Sequence, residues 1–122
     1  MVVIEIEKND LLKLVGKEIT DEEIENTLFG LKCEATIEDN KITCELNPDR
    51  LDMISVEGIA RAIKAYLGLP IKKYEPGESN IVVKGESLVR PAFSAAVVEG
   101  VTMTDDFVAS LMQIQENLHI TI

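Results

Sequence analysis

With 122 residues and a net charge of −10, the chain is sized for one small domain, or for one domain plus part of another. Lys and Arg number 12 against 22 Asp and Glu, which argues against autonomous DNA or RNA binding and against adhesion to anionic membranes, both of which rest on cationic surface. Aromatic residues make up 4% and Trp is absent, so the core must be aliphatic.

Val2, Ile4 and Ile6 alternate with Val3, Glu5 and Glu7, which predicts a half-buried strand. Asn9 or Asp10 then suits the N-cap of a short helix carrying Leu11, Leu12, Leu14 and Val15 and closed by Gly16. Thr20 and Glu23 have capping-box spacing, opening a helix with Ile24, Leu28 and Leu31 on one stripe that ends about Gly30 to Lys32. CEATIEDNKITCEL reads as a hairpin turning at Asp39-Asn40, with Glu38 opposite Lys41, Ile37 opposite Ile42 and Cys33 opposite Leu46. In that register Cys33 and Cys44 share the apolar face as diagonal neighbours, a poor geometry for a disulfide, and are expected to be small core residues.

Beyond Asn47-Pro48 the period becomes helical. Val56, Ile59, Ala60, Ile63, Tyr66 and Leu67 form a stripe, Ser55 or Asp52 suits the N-cap, and Gly68 before Pro70 suits a left-handed C′ position. KKYEPGES has linker composition. A strand is expected at about 80–84, and a second, buried on both sides, across Phe93 to Val101. Thr104 then caps a helix with Phe107, Leu111, Ile114 and Leu118 on one stripe. A doubly buried strand needs neighbours on both edges, so residues from about 88 onward are expected to be the opening elements of a larger, truncated domain.

No P-loop, dinucleotide fingerprint or metal-ligand histidine pair is present, and no catalytic, cofactor-binding or metal-binding residue is expected. His119, with Glu116 three residues earlier, reads as an exposed histidine. The pairs Asp21-Glu22-Glu23 and Asp105-Asp106 occupy helix first turns, where carboxylates favour the positive dipole end. The opening MVVIEIEKND lacks the basic region and apolar run of a secretion signal, and no apolar stretch approaches a membrane span. A cytoplasmic chain with reduced thiols is expected.

The segment NPDRLD enters the long helix through a turn in which the Arg50 guanidinium can brace carboxylates or backbone carbonyls. NPDRLDMISVEGIARAIKAYLGLP resembles the NPxRxDxxSxxGxARxxxxxLG pattern early in phenylalanyl-tRNA synthetase beta subunits, through Asn47, Pro48, Arg50, Asp52, Ser55, Gly58, Arg61 and Gly68. Leu51 stands where that family commonly has proline. The flanks NDLLKLVGKEITDEEIENTLFGL and RPAFSAAVVEGV resemble the archaeal and eukaryotic type, without the oligonucleotide-binding insertion of bacterial chains.

The resemblance implies an α+β fold: residues 1–85 as a small, winged-helix-like domain of helices plus a β-hairpin, and residues 86–122 as the first strand and helix of a truncated α/β tRNA-editing domain. It implies a noncatalytic piece of a ligase that joins phenylalanine to its tRNA using ATP and Mg2+ and proofreads mischarged tRNA. The implied partners are the alpha subunit, in a heterotetramer of two alpha and two beta chains, and tRNA, with no DNA and no membrane. The alternative is a free-standing protein-interaction or nucleic-acid-binding module sharing the same small fold.

Overall fold

Alternation of apolar and charged side chains makes three strands in the computed structural model, which describes residues 2–89 and 91–121. These are β1 (Val2–Glu7), β2 (Cys33–Glu38) and β3 (Lys41–Leu46), joined in one antiparallel sheet of order β1-β3-β2. The hairpin has the register expected from the sequence: Ile37 faces Ile42, Ala35 faces Cys44 and Cys33 faces Leu46, with Asp39 taking positive φ, 53°, in the turn. β1 adds to the other edge of β3, Val2 opposite Leu46 and Glu7 opposite Lys41.

The inward face of the sheet (Ile4, Ile6, Cys33, Ile42, Cys44 and Leu46) is buried under helices. α1 (Lys8–Val15) contributes Leu11 and Val15, and α2 (Asp21–Gly30) contributes Ile24 and Leu28. A short 3-10 helix, Leu51–Met53, buries Met53 and leads into α3 (Val56–Tyr66), whose Val56, Ile59, Ala60 and Ile63 complete the core. Large aliphatic side chains are worth about 1.5–3 kcal/mol each when fully buried, so this single cluster carries the stability of the unit.

Three of the helix ends follow their residue types and a fourth does not. Thr20 and Glu23 form a reciprocal capping box on α2. Gly16 closes α1 with φ 73°, and α3 ends in a Schellman motif: Gly68 takes φ 68°, its N–H donates to Ala65 O, and Leu69 N–H donates to Lys64 O. The exception is the start of α1, where neither Asn9 nor Asp10 is the N-cap. β1 runs straight into α1 through Glu7, which makes no side-chain cap bond. Instead Asn40 in the hairpin turn accepts from two of the orphan amides, Lys8 N–H on its carbonyl at 2.8 Å and Asn9 N–H on its Oδ1 at 3.1 Å.

The chain divides into two units, Met1–Ile71 with Thr104–Ile122, and Lys72–Met103. The first holds the sheet, α1 to α3 and α4 (Asp105–Thr121), whose Phe107 N–H bonds Thr104 Oγ1 at 3.2 Å as the sequence predicts. The second has no helix or strand among the described residues, so the strands expected at 80–84 and across Phe93 to Val101 are absent; Arg90 lies outside the described residues. A strand's N–H and C=O groups need a neighbouring strand, and β-prone composition does not supply one. Ile81 and Val98 are accordingly 61% and 76% exposed. No helix among the described residues is long and apolar enough to cross a membrane.

Candidate functional site

The turn from β3 into α3 concentrates the residues that sequence reading singles out. Asn47 and Pro48 follow Leu46, the last residue pairing in β3, and Asn47 O accepts from Arg50 N–H at 3.1 Å, closing the reversal. Arg50 then spreads its guanidinium three ways. Nε and Nη2 donate to the two carboxylate oxygens of Asp52, each at 2.9 Å, and Nη1 donates to the carbonyl of Leu31 at 3.2 Å. The fork ties the end of α2 to the start of the 3-10 helix, a geometry only a planar, multi-donor cation supplies.

The Arg50 hydrogen bonds hold the Asp52 carboxyl below its usual range, with a further contribution from Arg61 on the exposed side of α3. Ser55 is buried and caps α3, its Oγ accepting from Gly58 N–H at 3.2 Å. Gly58 is required sterically: a Cβ there would lie 2.1 Å from the backbone oxygen of Asp52. Six of the eight motif residues, from Asn47 to Gly58, therefore form one knot that sets the angle between hairpin, α2 and α3. Arg61 lies outward from the knot, and Gly68 serves the far end of α3.

Two features went unrecognised in the sequence. Asp10, on α1, has its carboxyl raised by partial burial and by the negative charges of Asp106 and Glu57, which approach from α4 and α3. α4 is held to the body through polar side chains. Ser110 Oγ donates to Glu57 Oε2 at 2.7 Å, Gln113 Nε2 to Glu5 O at 3.2 Å, and Asn117 Nδ2 to Ile54 O at 3.2 Å. Its stripe of Phe107, Leu111, Ile114 and Leu118 borders a cleft of about 400 Å³ shared with Leu51, Ile54 and Arg61. The spacing of the stripe was legible; that polar residues one position away would make the contacts was not.

Cys33 and Cys44 are free thiols, both buried. A hydrogen bond to Cys33, together with burial, pushes the Cys44 thiol well above its usual range, which suits a core residue and not a nucleophile. Among the described residues no group of His, Cys, Asp and Glu is arranged to hold a metal ion. His119 is exposed on α4. The arrangement has the chemistry of a structural joint: charge-assisted hydrogen bonds and close backbone packing.

No family model matches the chain. It is 35% identical over 125 residues to the phenylalanine–tRNA ligase beta subunit of Methanocella arvoryzae, covering 98% of this chain and 23% of that protein. The corresponding subunit of Archaeoglobus fulgidus is 39% identical over 128 residues, covering 100% of this chain and again 23% of the relative. The chain thus spans about a quarter of the length of these relatives. Among solved structures, a crystal structure of an N-terminal fragment of the phenylalanyl-tRNA synthetase beta subunit from Pyrococcus horikoshii superposes with a TM-score of 0.82 at 31% identity, covering 98% of this chain and 38% of that one.

Proposed function

The chain is a homologue, over its whole length, of the N-terminal region of archaeal phenylalanine–tRNA ligase beta subunits, and from this we propose that it is a noncatalytic scaffold of that subunit. The observation that carries the proposal is a match covering 98–100% of the chain at 35–39% identity. The Arg50–Asp52–Leu31 knot supports a mechanical role, since Nε, Nη1 and Nη2 of the guanidinium each donate to an internal acceptor.

On this reading the complete enzyme joins phenylalanine to its tRNA with ATP and Mg2+ and proofreads mischarged tRNA. Two alpha and two beta chains assemble in the cytoplasm, with the alpha subunit the direct partner of this one. Residues 1–85 act as a winged-helix-like domain, supported by the order α1, α2, β2-β3 hairpin. Residues 86–122 open the editing domain on the sequence likeness of RPAFSAAVVEGV to the start of that region, with α4 within them grouping with the sheet unit. The catalytic groups of both reactions then lie outside this chain.

Phenylalanine-dependent pyrophosphate exchange and Tyr-tRNA deacylation test the assignment directly. Neither reaction is expected from the chain alone, and turnover that survives repurification would overturn it.

A further inference from the structure

The two edges of the sheet are finished differently. Lys8 N–H bonds Asn40 O at 2.8 Å, one step beyond the β1–β3 register. Antiparallel pairs alternate between bonded and non-bonded, so Ile6–Ile42 and Ile4–Cys44 are also bonded pairs. Val3 and Glu5 therefore aim their backbone groups away from the sheet, and Gln113 Nε2 of α4 meets the Glu5 carbonyl there at 3.2 Å. The same alternation turns Lys41, Thr43 and Glu45 of β3 toward Glu38, Thr36 and Glu34 of β2. Cys33, Ala35 and Ile37 are left with N–H and C=O pointing outward, and among the described residues no side chain closes that edge as Gln113 closes β1.

Each face of this edge has its own chemistry. On the inner face Ala35 and Ile37 pack against the core but stay half-buried, whereas Ile42 and Cys44 in the next strand are completely buried. The apolar layer is therefore one strand short of being covered. On the outer face Glu34, Thr36 and Glu38 are exposed. Glu34 lies directly opposite Glu45, a like-charge pair that weakens the ladder. Lys41 lies opposite Glu38, but its Nζ is drawn across to Glu5 at 2.7 Å. A second copy of this chain, paired antiparallel here, sets Glu34 and Glu38 opposite or diagonal to the same carboxylates, which disfavours self-pairing. Phosphate groups are repelled for the same reason.

We propose that the outer edge of β2 is a docking site for an extended protein segment in which basic and apolar residues alternate, added to the sheet as a fourth strand. Its backbone bonds the outward groups of Cys33, Ala35 and Ile37. Its apolar side chains extend the core over Ala35 and Ile37, and its Lys or Arg side chains lie against Glu34 and Glu38. Strand addition supplies the backbone bonds, and the alternation of charge and apolar surface supplies the choice of partner.

The test titrates the whole chain with the capped peptide TKVTVKT and its acidic counterpart TEVTVET, followed by amide NMR. At low ionic strength the basic peptide is expected to bind at least about tenfold tighter than the acidic one, and the preference should shrink in high salt. At saturation it is expected to slow exchange of the Ala35 and Ile37 amides about tenfold, leaving Val3, an outward amide on the opposite edge, unaltered. A chain carrying both Glu34→Lys and Glu38→Lys, two exposed positions, is expected to prefer the acidic peptide. Absence of binding by the basic peptide, equal binding of both peptides, or binding without slower exchange at Ala35 and Ile37 would overturn the proposal. So would equal protection at Val3, or an unchanged preference in the doubly substituted chain.

Discussion

Replacing Gly58 by alanine tests the knot at its tightest point. Alanine in a helix interior is favoured over glycine by about 1 kcal/mol, so propensity alone predicts a gain. The structure predicts the reverse. The new Cβ would sit 2.1 Å from the Asp52 backbone oxygen and 3.3 Å from the Met53 Cα, where no flexible side chain can give way. Relief requires moving the 3-10 helix off α3, loosening the Ser55 cap and the packing of Met53, which is fully buried. Overpacking of this kind costs about 1–3 kcal/mol and sometimes more, and a displaced cap adds about 1 kcal/mol. A net loss of about 1–3 kcal/mol remains after propensity is subtracted, which in a domain this small lowers Tm by on the order of 5–20 °C.

Gly30→Ala is the matched control. Its Cβ would meet Tyr66, 2.8 Å from the hydroxyl oxygen, but Tyr66 is 57% exposed and can swing aside. Its effect is expected to stay within about 1 kcal/mol. Urea unfolding followed by far-ultraviolet circular dichroism measures both, with equal m-values required before midpoints are compared. A Gly58→Ala variant as stable as wild type, or a Gly30→Ala variant just as damaged, would refute the steric account.

Arg50→Lys keeps the charge but cannot hold both Asp52 oxygens and Leu31 O together, and is expected to cost about 1–2 kcal/mol by the same assay. Asp52→Asn is expected to cost less than about 1 kcal/mol at pH 7, because the ion pair is partly exposed to solvent screening. It should also change the acid limb. The folded Asp52 carboxyl lies below its ordinary 3.8, so its contribution is complete above that value and lost as pH falls through the folded one. Tm measured downward from pH 7 should therefore fall less in the variant, and parallel curves would count against the pairing. Thiol titration is expected to leave Cys33 and Cys44 unreactive in the native protein and to count both in denaturant; rapid native labelling of Cys44 would contradict its burial.

What the sequence discloses is what is decided locally. Two alternating runs around Asp39-Asn40 fix the hairpin register to the residue, since a shift by one would turn Ile37, Ile42 and Cys44 out to water. The Thr20–Glu23 box and the Gly68 ending of α3 are settled within a few residues of chain. The cap of α1 is not, because it comes from Asn40, 31 residues away, and nothing near Asn9 announces it. Arg50 was legible as a brace, whereas its third acceptor, Leu31 O, emerges only when α2 ends beside it. Residues 80–84 and 93–101 show the opposite limit, strong β composition with no neighbour to pair with.

The central place of β3 carries a consequence for how the protein is made. β1 is synthesised before β3, its partner among the described residues, so Val2 must wait for Leu46 before its end of the ladder can form. During synthesis the first strand is an unpaired apolar ribbon, while the β2-β3 hairpin can close on itself as soon as it emerges. The order of synthesis and the order of pairing therefore differ, and Glu5 and Glu7 place charge on alternate positions of the waiting strand, a feature that discourages edge-to-edge association.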